Sequence, residues 1–282
     1  MINKEIILFW KRFKRDKQSV ISMFILLCLF VFALIFPWIA KYTPFQLVSE
    51  PFQKPNLKFP FGTDDLGRDI FSQVFFGMRI TFIIGFLASI IAGLLGIIVG
   101  ALAGYFQGNI FDFFISGIIE IFQSIPLFFL SIVLIAIFGP RLLNVILALG
   151  LTLWPGTARI IRAQFLYIKE LQFVEAAKVI GENTFNIIFK EIFPNAIPPA
   201  IVNIAYCSSV AIVVESGLSF LGLGDPNHMS LGYIIGNAKS FIYQAWWLSL
   251  IPGFFLFLII LSLNLVVDGL NDALNPKLRE EK

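Results

Sequence analysis

The chain has 282 residues, 58% hydrophobic and 14% charged, with 33 phenylalanines and a formal charge of +3. Ordinary soluble domains carry about 25% charged residues, and a soluble globule of this length has no interior for so much apolar surface, so lipid must solvate part of it. The charge is too small to suggest a nucleic-acid partner, and Cys28 and Cys207 sit singly in apolar runs, which argues against a disulfide framework or a metal cluster.

A bilayer core of about 30 Å takes about 20 apolar residues at 1.5 Å each. Val20 to Ala40 is the first such run. It is too long for the apolar core of a signal peptide, and Trp38 stands where a cleavage after Ala40 needs a small residue, so it reads as an uncleaved span. The outer loop from Lys41 to Arg79 is held extended or turning by Pro44, Pro51, Pro55 and Pro60. It ends in Gly62-Thr63-Asp64-Asp65-Leu66-Gly67-Arg68-Asp69, where Thr63 or Asp64 can cap a helix and Asp64 can pair with Arg68. This reads as a structured lead-in to the second span.

That span is Ile80 to Tyr105. Gly96, Gly100, Gly104 and Gly108 recur every four residues with Ala92 one turn earlier, a face for close helix approach, within this chain's own bundle ahead of any partner. Phe111 to Phe138 is the third span, with Glu120 roughly 13 Å deep at helical rise. Leu142 to Ala158 is the fourth, broken at its inner end by Trp154, Pro155 and Gly156.

Residues 159–195 form the longest polar insertion on their side, too long for an idle connector. Ala176 and Ala177 favour helix, and Gly181 stops or bends it. A second amphipathic piece, Thr184 to Ile192, follows before Pro194 turns the chain back into the membrane. Together they make a knob shaped to dock into a soluble partner's groove. Ala196 to Val214 is the fifth span, with Glu215 at its outer end. The outer segment Ser216 to Trp247 carries the paired Trp246 and Trp247, suited to a membrane interface, and a lone loop histidine, His228. Leu248 to Leu270 is the sixth span.

Lys and Arg orient this arrangement. The N-terminal tail, the 159–195 insertion and the C-terminal tail hold 14 basic residues, and the opposite side holds 7. The first group is therefore cytoplasmic, with both termini inside. The resulting division is a tail at 1–19, a first helix at 20–40, an extracytoplasmic loop at 41–79, a five-helix core at 80–270 containing the 159–195 insertion, and a tail at 271–282.

Three motifs in this order resemble the dipeptide/oligopeptide permeases of ABC importers: Gly62-Thr63-Asp64-Asp65-Leu66-Gly67-Arg68-Asp69; Glu175-Ala176-Ala177 to Gly181 with Pro194-Asn195; and Ser219-Phe220-Leu221-Gly222-Leu223-Gly224 with Asn264-Leu265 to Asn275-Pro276. The first resembles the second, C-type permease of the pair. Phe193 replaces a usual Leu, Glu191 often corresponds to His, and Leu231-Gly232 stands where a Trp-Gly pair is usual.

The resemblance implies an all-α membrane protein of the type I importer permease architecture, with six transmembrane helices and a cytoplasmic coupling loop between spans four and five. It also implies a second, homologous permease as heterodimer partner, two cytoplasmic ATPases, an extracytoplasmic solute-binding protein and a bacterial plasma membrane. Peptides are the implied solute, with nickel complexes the alternative among relatives that share these motifs. Glu175, Ala176, Ala177 and Gly181 become the ATPase-coupling residues. No phosphate-binding loop with Gly-Lys occurs in the chain, so no cofactor is expected here, and ATP and magnesium belong to the partner ATPases.

A charge in lipid costs several kcal/mol, so Glu120 and Glu215 face the bundle interior or a cavity. A pathway contact and a packing role fit Glu215 evenly, and packing comes first for Glu120. A secondary transporter would need further mid-span acids and an internal repeat. An intramembrane enzyme would need a nucleophile and base, or a metal cluster.

Overall fold

The computed structural model describes residues 9–274. The expected Asn275-Pro276 end of the third motif and the basic Lys4, Lys277, Arg279 and Lys282 lie outside them.

Among the described residues the fold is carried by α1 (Lys17–Ile39), α2 (Ile70–Tyr105), α3 (Ile110–Ser124), α4 (Leu127–Phe138), α5 (Leu142–Lys169), α6 (Gln172–Val179), α7 (Phe193–Phe220), α8 (Leu231–Ala238) and α9 (Trp247–Leu274). Five stretches are long and apolar enough to cross a membrane: α1, α2, α5, α9, and α7 with its lead-in from Thr184. The bent pair α3–α4 makes a sixth if taken as one broken span.

Several boundaries differ from the apolar runs. The α2 helix starts at Ile70, not Ile80. Its cap is neither Thr63 nor Asp64 but Asp69, whose carboxylate accepts from the backbone N–H and the hydroxyl of Ser72 at 2.9 and 2.7 Å. At 36 residues the helix is about 54 Å long, longer than the apolar core, and its first turns are largely apolar, with Ser72, Gln73 and Arg79 interrupting the run ahead of Ile80.

The expected third span is broken. Extended Ile125 and Pro126 separate α3 from α4, whose axes differ by 93°. The break expected at Trp154, Pro155 and Gly156 is absent: all three lie inside α5, which runs past Ala158 to Lys169. Membrane helices tolerate an internal proline where neighbouring groups serve the freed backbone. Pro194 does not turn the chain either. Thr184–Asn186 leads through a π-helical stretch, Ile187–Ile192, into α7, so Pro194 falls at the π-to-α junction of one continuous helix.

The glycine face of α2 packs on α5. A Cβ at Gly96 would stand 2.5 Å from the Cβ of Thr157, and one at Gly104 would stand 2.6 Å from that of Phe165. The stripe thus serves packing inside this chain. Gly108 is not part of it: it lies past the helix end at φ +82°, with nothing close by.

Phenylalanines fasten the opposite end of the bundle. Phe36 of α1, Phe71 and Phe75 of α2, Phe61 of the α1–α2 loop and Phe255 of α9 meet in edge and tilted pairs with centroids 4.8 to 5.9 Å apart. Such pairs add about 0.5–1.5 kcal/mol each beyond area burial.

Candidate functional site

The insertion folds as a knob at the end of α5. Lys169 closes that helix by donating to the Tyr105 carbonyl at 3.2 Å, which ties it to the end of α2. On α6, Val174 and Ala177 are buried against Ile161, Phe165, Ile168, Ile187 and Ile192. Glu175 and Ala176 face outward. Val179 and Ile180 are 87% and 80% exposed. A helix that anchors two residues and leaves its apolar end uncovered presents a docking face.

Gly181 ends α6 at φ +82°. Its N–H donates to the Lys178 carbonyl at 3.1 Å, and that of Glu182 donates to Ala177 at 3.1 Å. Only a left-handed residue closes these bonds, and glycine takes that conformation at no steric cost. Asn183 then caps the next turn by accepting from Asn186 N–H at 3.0 Å.

An ion pair outside every motif lies beside the knob. Arg162 of α5 donates from Nε and Nη2 to the two carboxylate oxygens of Asp112 on α3, at 2.9 and 3.1 Å. Fork-on-fork geometry fixes the relative position of α3 and α5. Arg162 was legible only as one basic residue of a polar stretch, because no local pattern joins it to a residue fifty positions away.

Midway along the bundle, the α3–α4 bend opens a cavity of about 520 Å³. Gln123, Pro126, Thr152, Pro155, Asn203 and Tyr206 line it. Thr157 donates to Asn203 Oδ1 at 2.8 Å, and Cys207, which also lines the cavity, lies 3.7 Å from the same oxygen. The bond from Thr157 holds the Asn203 side-chain amide in place at the cavity wall. The available signals were Pro126 and an asparagine inside an apolar span.

Neither candidate acid lines this cavity. Glu215 is buried at the other end of α7, where Ser219 and Ser230 donate to it at 2.6 and 2.7 Å. Ser230 also caps α8 by accepting from Tyr233 N–H, so Glu215 ties α7 to α8. Glu120 is exposed on α3, one turn before Gln123, and makes no ion pair among the described residues.

The loop between α1 and α2 is stitched by acids. Asp64 accepts from the backbone N–H of Leu66 and Arg68, from Arg68 Nε at 2.6 Å and from Gln73 Nε2 at 2.7 Å. The expected Asp64–Arg68 pair is thus present. Trp247 Nε1 reaches the Thr63 carbonyl at 3.4 Å, joining the loop to α9. Asp225 accepts from Leu142 N–H at 2.8 Å and meets His228 Nδ1 at 2.9 Å. Burial pushes its carboxyl up, but the Asn227 and Leu142 N–H groups and His228 outweigh this and hold it below the usual carboxylate range.

Comparison with known proteins agrees with this architecture. Residues 96–280 match the family described as binding-protein-dependent transport system inner membrane component, and residues 6–57 match the N-terminal TM domain of oligopeptide transport permease C. The dipeptide transport system permease protein DppC of Bacillus subtilis is 39% identical over 96% of this chain and 85% of its own length. DppC of Escherichia coli K12 is 39% identical over 96% and 93%. The di/tripeptide transport system permease protein DppC of Pseudomonas aeruginosa is 33% identical over 96% and 92%. An inward-facing structure of the MetNI methionine ABC transporter superposes with a TM-score of 0.58 at 20% identity, over 71% of this chain and 94% of that one. An amino acid ABC transporter gives 0.56 at 21%, over 71% and 92%. These solved structures share the fold. The chain belongs to the binding-protein-dependent transport system inner membrane components, the permease subunits of ABC importers, and has their type I fold.

Proposed function

We propose that this chain forms half of the translocation pathway of an ATP-driven importer of di- and oligopeptides. A second, homologous permease supplies the other half, an extracytoplasmic binding protein delivers the solute, and two ATPases bind at the knobs. The knob end and both termini are cytoplasmic, in accord with the 14 to 7 division of basic residues. Supporting the substrate class are relatives whose names specify dipeptides and di/tripeptides.

The observation that carries the reading is α6: two residues anchored in the bundle, an apolar end with nothing on it, and a left-handed Gly181 fixing its direction. In the mechanism, ATP binding closes the ATPases around Glu175 and Ala176. The push passes through Ala177 and Val174 into α5 and α7, which border the mid-membrane cavity. Asn203, held by Thr157, and Gln123 offer amide groups to peptide carbonyls and N–H groups there. Glu120, exposed on α3, can meet a solute's amino terminus, and Glu215 holds the outer end of α7.

Uptake of labelled di- and oligopeptides, with nickel in parallel, is measured in cells with and without the chain. Loss of peptide uptake alone is the expected result. If only nickel uptake falls, the coupling knob stands and the solute is a metal complex. If neither changes, the peptide assignment fails.

A further inference from the structure

A second cavity lies outside the pathway. Between α1 and α2 a groove of about 530 Å³ runs along the bundle surface, within the roughly 300–1,000 Å³ of ordinary ligand sites. Leu27, Phe30, Leu34, Phe82 and Phe86 are among its apolar walls, and only Arg79 and Ser208 are polar. Arg79 is exposed, and among the described residues no carboxylate lies within 4.0 Å of it.

The depth of Arg79 follows from the ring pairs that set the register of α1 on α2. Phe32 meets Phe75 at 4.5 Å and Phe30 meets Phe82 at 5.4 Å. Arg79 lies between these pairs, level with residues 30–32 of α1, so it stands roughly 12 Å from the end of α1 at helical rise. Trp38, 82% exposed, marks the interface at that end. An unpaired guanidinium at this depth on a lipid-facing surface is costly, and its long stem lets it reach toward the headgroups.

We propose that this groove binds an anionic glycerophospholipid of the leaflet on the α8 side. The phosphate sits on Arg79, and one acyl chain lies along Leu27, Phe30, Phe82 and Phe86. Charge complementarity selects this occupant. The groove offers one cation at its headgroup end and an apolar trough behind it, the two ends of such a lipid. A transmembrane helix of a partner chain would instead have to bring a carboxylate into the hydrocarbon. Arg presents a planar fork that matches phosphate oxygens. The bound lipid joins α1 to the body of the bundle.

The test uses the full chain, in whatever assembly it purifies with, in nanodiscs of equal phosphatidylglycerol and phosphatidylcholine. Lipid retained after exchange into detergent is read by native mass spectrometry. Wild type is expected to keep phosphatidylglycerol in preference to phosphatidylcholine. Arg79→Gln should lower the retained phosphatidylglycerol about tenfold, the loss of one charge-assisted contact. Arg79→Lys should keep part of it, and Leu27→Trp, which fills the trough, should lower it while the charge stays. Equal retention of the two lipids by wild type overturns the proposal even if Arg79→Gln fails to assemble. So does displacement by inorganic phosphate, which would mark a plain anion site. Cross-linking of Leu27→Cys to a partner subunit would show that a protein covers the groove, with the same consequence.

Discussion

Arg162 and Asp112 are joined by two near-parallel hydrogen bonds, from Nε at 2.9 Å and Nη2 at 3.1 Å, across the junction of α5 and α3. Asp112 is mostly buried and accepts in addition from Gly108 N–H and the Ser116 hydroxyl. Arg162→Ala should therefore destabilise the fold by about 1–3 kcal/mol, the range for hydrogen bonds to charged groups. Thermal melting in detergent reads this. The Asp112→Asn/Arg162→Ala double variant should lose less than the sum of the single losses; strict additivity would show that the pair carries no coupling.

Gly181→Asp and Gly181→Ala should insert and fold, because nothing lies within 4 Å of a Cβ there. Each strains the left-handed turn by about 1–2 kcal/mol, which redirects the end of α6. The expected result is normal abundance with peptide uptake lost for Asp and reduced for Ala. ATP hydrolysis by the purified assembly should no longer respond to solute. Full uptake by the Asp variant would remove Gly181 from the coupling assignment.

Glu215→Gln retains an acceptor for Ser219 and Ser230, whereas Glu215→Ala leaves both hydroxyls without it. Alanine should cost about 1–3 kcal/mol, and glutamine much less, with uptake tracking stability in both. A raised KM for peptide in a fully stable Gln variant would instead place Glu215 in the pathway.

Gly96→Val and Gly104→Val should abolish folded protein, since each side chain would meet α5 at backbone-packing distance. Overpacking costs typically 1–3 kcal/mol in a core, and here two rigid helices would have to separate. Gly117→Ala, with open space around it, should leave abundance unchanged. Abundance of fluorescent fusions in membranes decides the comparison.

Asp225 has a folded-state carboxyl held below its ordinary 3.8. A group depressed on folding contributes stability that is present above the unfolded value and lost as pH falls through the folded one. The melting advantage of wild type over Asp225→Ala should hold at neutral pH and shrink below about pH 4. An advantage that grows on acidification would contradict the hydrogen-bonded anion.

Spans and knob were legible because hydrophobic runs and the Ala176-Ala177-to-Gly181 pattern are local properties. Helix ends were not. Asp69 caps α2 through side-chain geometry that Thr63 and Asp64 offered equally well on paper. Proline divided three ways: Pro126 sits at a bend, Pro155 is absorbed inside α5, and Pro194 lies where a π-helical stretch passes into α7. Which outcome applies depends on neighbours that can serve the freed backbone groups, and those are distant in sequence. Asn203 with Thr157, and Arg162 with Asp112, likewise join residues 46 and 50 positions apart. The glycine stripe was legible as a contact face, and its partner helix, α5, was not.

The bend at Pro126 brings two helix termini together midway along the bundle. The last carbonyls of α3 point toward it with partial negative charge, and the first N–H groups of α4 with partial positive charge. Ser124 donates to the Ile121 carbonyl at 2.8 Å and settles one of them. The rest need partners that hydrocarbon does not provide. That stretch of the chain must therefore stay hydrated or face another polar surface. It holds a fixed dipolar field beside the cavity, of the kind that would suit a zwitterionic solute on the proposed pathway.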